Sequence, residues 1–187
     1  MKIFKNAFEA GDQVSGAAAT IGKFDGIHLG HQTVIRRVLD RAKALRTHSL
    51  VITFDPNPEQ YLFHGAYRAI LPLERNLELI AALGVDAALV LPFNGQLSCQ
   101  APEAFARDIL SKALRVREVC VGQDFCFGKD RAGRADTLAC LGRELDFAVH
   151  VGPLLPLDGE KVGASKIRHL LREGHKQEAE RYLGRRF

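Results

Sequence analysis

Thr20-Ile21-Gly22-Lys23-Phe24-Asp25-Gly26-Ile27-His28-Leu29-Gly30-His31 follows an apolar run (Val14, then Ala17 to Ile21). It precedes a run with helical spacing: Val34, Ile35, Val38, Leu39, Ala42 and Leu45. The segment therefore reads as a strand over about 14–24, a glycine-rich loop and a helix over about 31–45. Backbone N–H groups and the helix dipole converge at such a helix start and favour a phosphate. Gly22, Gly26 and Gly30 permit a sharp turn and a close approach of backbone to ligand. His28 and His31 are three residues apart, so on a first helical turn they share a face. From there two imidazoles can donate hydrogen bonds to phosphate oxygens and to charge developing on a leaving group. The loop is neither a Walker A motif, since no Gly-Lys-Ser/Thr follows, nor Gly-x-Gly-x-x-Gly.

Outward from this segment, short apolar runs alternate with helical ones. Ser49–Phe54 suits a strand buried on both faces, and it stops at Asp55-Pro56-Asn57-Pro58, where two prolines forbid continuation. Residues 59–71 mix Tyr61, Phe63 and Tyr67 with turn residues and read as a flap or short helix. A helix is predicted over Pro72–Leu83, ended by Gly84, then a strand over Val85–Phe93 and a helix over 102–113. A strand at Glu118–Val121, a helix at 136–145 and a strand at Phe147–Val151 follow. Ser165 can cap a helix reaching Arg172, and a last helix covers 176–183. Residues 1–13 read as a short strand and a polar loop. The alternation implies one α/β domain over residues 1–187, Rossmann-like, with a mostly parallel sheet of about five strands and helices on both faces. Ligands of such sheets sit at the C-terminal edge. The loops at 22–31, 55–58 and 122–133 fall there. Lys166 and Arg168 lie near a helix start, where the dipole disfavours cations, so an anion there would offset the cost.

Composition sets bounds. With 187 residues, 47% of them hydrophobic, the chain has enough apolar material for one real core. The net charge of +4 suits an anionic small ligand, and the basic residues are too dispersed to form a nucleic-acid arm. Cys99, Cys120, Cys126 and Cys140 include no Cys-x-x-Cys pair. They read as buried or half-buried free thiols in a reducing compartment, not as a metal site. No apolar run reaches membrane-spanning length, and Met1–Lys5 has no signal-peptide character. A cytoplasmic protein binding small molecules, with neither membrane nor nucleic acid as partner, is the expectation. Nothing in the sequence sets the oligomeric state.

Gly22-x-Phe24-Asp25-Gly26-x-His28-x-Gly30-His31 resembles the His-x-Gly-His signature of nucleotidyltransferases. The form is that of the FMN adenylyltransferase (FAD synthetase) module of bacterial bifunctional riboflavin kinase/FAD synthetases. Three further stretches are similar to that family. Phe54-Asp55-Pro56-Asn57-Pro58 has Asn57 where the family carries histidine. Gly122-Gln123-Asp124-Phe125-Cys126-Phe127-Gly128 has Cys126 where arginine is usual. Val162-Gly163-Ala164-Ser165-Lys166-Ile167-Arg168 has Gly163 and Ala164 where the family carries serines. At Asn76 the family's lysine is absent. The tail Leu183-Gly184-Arg185-Arg186-Phe187 resembles the end of the module, and the kinase barrel's Gly-x-Pro-Thr-Ala-Asn does not occur.

The resemblance implies adenylyl transfer from ATP to FMN, giving FAD and pyrophosphate, with Mg²⁺ expected. It implies His28, His31, Ser165 and Arg168 in catalysis. It puts those four with Gly22, Phe24, Gly26, Gly30 and Asp124 around ATP. Pro56, Asn57, Pro58, Tyr61, Phe125, Phe127 and Gly128 fall to the flavin, and Asp124 is a candidate metal contact. Two alternatives stay open: a flavin- and nucleotide-binding homologue weakened in catalysis, and a nucleotidyltransferase for another phosphorylated acceptor.

Overall fold

Small and branched apolar residues fill the four central strands of the sheet and bury on both faces, as a doubly covered parallel sheet requires. The computed structural model describes residues 1–63 and 67–187. The chain runs β1 (Lys2–Phe4), α1 (Ala7–Val14), β2 (Ala18–Ile21), α2 (Leu29–Leu45), β3 (Ser49–Asp55), α3 (Pro58–Leu62), α4 (Leu73–Ala82) and β4 (Ala87–Pro92). It continues through α5 (Gly95–Ser98), α6 (Pro102–Phe105, prolonged by π-helical winding over Ala106–Ala113), β5 (Glu118–Gly122), β6 (Cys126–Phe127) and β7 (Gly133–Arg134). The last elements are α7 (Ala135–Glu144), β8 (Ala148–Gly152), β9 (Pro156–Leu157), β10 (Glu160–Lys161), α8 (Ala164–Arg172) and α9 (Lys176–Leu183).

The main sheet has the order β1-β4-β3-β2-β5-β8, and every neighbouring pair is parallel. It has six strands where about five are expected, because Lys2–Phe4 pairs with β4, Ile3 opposite Ala88. A second difference is α1, which stands where a polar loop is expected. Asn6 caps it, accepting from the N–H groups of Phe8 and Glu9. Gly11 inside it lowers helix propensity. A Cβ at that position would lie 1.9 Å from the Ala113 carbonyl oxygen, so the glycine is what lets α1 lie against the helix at Ala106–Ala113.

One face of the sheet packs Ala19, Ile21, Leu50, Ile52, Leu89 and Val119 against α1, α6 and α7. The other packs Val51, Ala88 and Val90 against Ile35 of α2 and Leu77 and Ile80 of α4. From β2 the chain steps to β3 and β4 on one side, then crosses back to β5 and β8 on the other. The order thus reverses between β2 and β5, and the crevice beyond their C-terminal ends is the place such a sheet offers a ligand. Helices α8 and α9 form a third apolar cluster with Ile70 and Val162, and Leu29 packs on it. Among the described residues, no helix is long and apolar enough to cross a membrane. Of the cysteines, Cys120 is buried and Cys126 half-buried, but Cys99 and Cys140 are exposed, which corrects the expectation of burial for those two.

Candidate active site

The loop after β2 is built on unusual backbone. Phe24, Gly26 and Ile27 have φ of 44°, 78° and 39°. For Phe24 and Ile27 such left-handed geometry costs roughly 1–3 kcal/mol each and persists only where surroundings impose it. Here the imposing groups are identifiable. The Asn76 amide accepts from Gly26 N–H at 2.8 Å and donates to the Leu71 carbonyl at 3.2 Å. Gln32 Nε2 donates to the Ile27 carbonyl at 3.0 Å. A Cβ on Gly26 would sit 2.9 Å from Ile70. Asp25, only 3% exposed, accepts from the N–H groups of Ile70 and Leu71, from the Tyr67 hydroxyl and from Arg168. Burial and the bond to Asp25 push the Tyr67 phenol far up, so it stays a donor.

His28 is the residue before α2, and its Nδ1 accepts from His31 N–H at 3.3 Å. That bond leaves the proton of the neutral ring on Nε2, which is then a donor. The two imidazoles stack with centroids 3.6 Å apart and planes 18° off parallel. Phe24 backs His31 at 5.0 Å. Gly30 has no Cβ because one would lie 3.1 Å from the His28 ring. Phe24 is 3% exposed and packs behind His31, and its ring occupies the space a Cβ on Gly22 would take. Burial lowers the His28 pKa from 6.5 to about 4, with Lys161, Arg168 and Arg185 adding to the effect and Asp124 opposing it. Burial, then His28 and Lys23, holds His31 well below its usual value. Both rings are neutral near pH 7.

These shifts fix a pH dependence of stability. The folded rings refuse protons that the unfolded chain takes up below about pH 6.5, so the unfolded state gains protons and stability falls as pH drops from there toward 4. The slope approaches about 1.4 kcal/mol per pH unit for each ring. Urea midpoints at pH 7.5 and pH 5 measure it. The His28→Gln/His31→Gln protein flattens the slope, and an unchanged slope would assign it to other groups.

Charge reaches this point from α8, α3, β10 and the loops after β2 and β5. Arg168 of α8, 18% exposed, donates to Asp25 at 3.0 Å and to Glu59 of α3 at 3.1 Å, and lies over the Tyr67 ring. Glu59 also pairs with Lys23 in the loop itself. Asp124, beyond β5, pairs with Lys161 of β10 at 2.5 Å. Lys166 pairs with Glu160 at 2.9 Å. Ser165 does not cap α8. Gly163 holds that position without a side-chain cap, and Ser165 Oγ accepts instead from Arg168 at 3.5 Å. A Cβ on Gly163 would meet nothing within 4 Å, so the front of the helix is open.

The flavin candidates divide. Asn57 caps α3 through Glu59 N–H at 3.0 Å, between Pro56 and Pro58. Tyr61 stands on α3 edge-on to Phe93 at 5.5 Å, next to exposed Leu62 and Phe63. The rest of the flap expected over 59–71 includes 64–66, outside the described residues. Phe125 is half-buried and stacks on Phe127 at 5.3 Å. Phe127 is 8% exposed, and a Cβ on Gly128 would strike Pro102 at 2.7 Å, so this end of the loop is anchored on α6. Asp25, Asn76, Glu59 and Arg185 are contributors without a role in the sequence reading. Asp25 stands inside the quoted motif, but its partners lie far along the chain. A separate cleft, lined by Arg117, Glu118 and Arg143, opens at the N-terminal ends of β5 and β8, the edge opposite the histidines.

A family model described as FAD synthetase matches residues 11–166. The bifunctional riboflavin kinase/FMN adenylyltransferase of Pseudomonas fluorescens is 38% identical over 172 residues, 92% of this chain and 55% of that one. An FAD synthetase of Listeria monocytogenes is 35% identical over 170 residues, 90% of this chain and 68% of that one. The chain thus spans about half the length of the first of these relatives. Among solved structures, one titled macrolide-efflux protein from Streptococcus pneumoniae superposes with a TM-score of 0.84 at 25% identity, covering 98% of this chain and 61% of that one. Pantoate–β-alanine ligase of Francisella tularensis shares the fold, with a TM-score of 0.55 at 14% identity over 97% of this chain and 86% of that one.

Proposed function

Because the chain belongs to the FAD synthetase family, we propose that it transfers the adenylyl group of ATP to FMN, yielding FAD and pyrophosphate. The observation that carries this reading is the pair of neutral, stacked imidazoles at the start of α2, beside the strand-order reversal. An FMN phosphate oxygen attacks the α-phosphorus in line. The bond from that phosphorus to the bridging oxygen breaks, and pyrophosphate leaves with the electron pair. No covalent intermediate forms on the protein, so its task is positioning and charge stabilisation.

His28 and His31 donate to the phosphate chain at the reacting end. Arg168, Ser165 and the uncapped start of α8 take the β- and γ-phosphates. Tyr61 with Leu62, Phe63 and Phe125 offers apolar cover for the flavin ring, and Pro56, Asn57 and Pro58 frame it. Among the described residues, no group of three His, Cys, Asp or Glu side chains could hold a metal. Mg²⁺ is therefore read as part of the substrate, MgATP, held by phosphate oxygens and water, with Asp124 the carboxylate at hand.

Glu59 has a distinct part. Its carboxylate lies between Lys23 of the loop and Arg168 of α8. An incoming triphosphate exchanges with it. Glu59→Gln removes that competitor and tightens ATP binding about threefold to tenfold, the gain that ~1 kcal/mol of released ion pairing supports. Calorimetric titration with MgATP measures this, and weaker binding by the variant would place Glu59 among the groups that assist ATP.

The test of the activity is direct. The protein is incubated with ATP, Mg²⁺ and FMN, with riboflavin in a parallel tube, and the flavins are separated by chromatography. FAD from FMN and none from riboflavin is expected. ATP and FMN both raising Tm with no FAD formed would leave a binding protein instead.

A further inference from the structure

The turn that presents His28 is held from the other end of the chain. Arg185 Nη2 donates to the Gly26 carbonyl at 2.6 Å, and Nη1 donates to the Ile27 carbonyl at 3.0 Å and to the Leu183 carbonyl at 3.4 Å. Gln32 ties the same two segments a second time, donating to the Ile27 carbonyl at 3.0 Å and the Leu183 carbonyl at 2.9 Å. Gly184, with φ 66°, sits so close to Leu29 that a Cβ would meet its side chain at 2.5 Å. Residues 183–185 therefore close on residues 26–29, which bracket His28.

Two features separate this from ordinary tail packing. The carbonyls engaged belong to Gly26 and Ile27, both in left-handed backbone, the second a β-branched residue that adopts it only under constraint. The guanidinium is also half-buried, and among the described residues its acceptors are all backbone carbonyls, with no carboxylate within ion-pair distance. A planar fork with donors in fixed directions suits two successive carbonyls, which an ammonium cannot match. It is also one of the cations that help keep His28 neutral.

We propose that Arg185 is a positioning residue, fixing the peptide planes of Gly26 and Ile27 and so the direction in which His28 presents its ring. The kinetic part of the test rests on the adenylyltransferase reading. Arg185→Ala lowers kcat about tenfold to a hundredfold, the cost of a displaced catalytic group, while KM for ATP and FMN changes less than about threefold. Arg185→Lys, which keeps the charge and the stem but not the fork, stays low. Millimolar guanidinium ion restores the Ala variant and leaves the unaltered protein unchanged. An unaltered kcat, or a loss confined to KM for ATP, would overturn the proposal.

A second readout needs no turnover. In the NMR spectrum the imidazole Cε1–H signals of His28 and His31 shift in both variants, while those of His48, His150, His169 and His175 hold. If His28 does not move, the proposal is wrong whether or not the chain makes FAD. If it moves in a chain that makes none, only the adenylyltransferase reading fails. Should the Ala variant not fold, the Lys variant carries both measurements.

Discussion

His28→Ala lowers FAD formation about 10²- to 10³-fold, the loss expected when one preorganised donor to developing phosphate charge is removed. The neighbouring ring makes the effect more than that of a single donor. His28 caps α2 by accepting from His31 N–H, and its ring is the stacking partner of His31. Removing it frees His31 from one face and leaves an N–H at the helix start without its acceptor. His31→Ala is expected to fall by a similar factor, since His28 then loses its partner and Phe24 faces a void. Because each ring holds the other, the double variant loses much less than the product of the two single losses. Single-turnover rates at saturating ATP and FMN, with Tm as the check on folding, read this directly. Losses that multiply would mean that the rings act independently and that the stack has no catalytic meaning.

Asp25→Ala is the substitution expected to cost most stability, about 3–5 kcal/mol. Asp25 accepts from two backbone N–H groups and the Tyr67 hydroxyl, and it is the buried counter-ion of Arg168. Alanine leaves three donors unmet and a guanidinium that is 18% exposed short of its inner carboxylate. For a chain of this length the loss lowers Tm on the order of 10 °C. Asp25→Asn keeps an acceptor for the N–H groups but not the charge, and falls between. Adding Arg168→Leu to Asp25→Ala recovers part of the loss, since the largely buried guanidinium left with Glu59 alone is then gone. If the second substitution only worsens Tm, the ion pair is not what Asp25 supplies.

What the sequence made legible was local. Glycines, a strand before and a helix after are enough to place residues 22–31 at a sheet edge, and His-x-x-His spacing puts both rings on one face. The same logic located the loops after β3 and β5. It did not show how the motif residues pack: the contact of Phe24 with His31, or of Gly128 with Pro102, is a fact of three dimensions. The partners were illegible for the same reason. Asn76 is 50 residues from Gly26, Arg168 is 143 from Asp25 and Arg185 is 159 from Gly26. Nothing in a single sequence links positions so far apart. Helix α1 escaped because Gly11 weakens its local signal, and only contact with Ala113 explains the glycine.

Those long separations also govern the order of assembly. Parallel strands and their crossovers gather early residues with middle ones, and β5 is complete at residue 122. The turn before His28 is pinned by residues 183 and 185. On a ribosome, where the chain emerges from its N-terminus, the sheet has all six strands by residue 152. The histidine turn still waits for its last two fasteners. A nascent chain of this protein therefore passes through a stage in which the scaffold has its strands and the working loop does not have its shape.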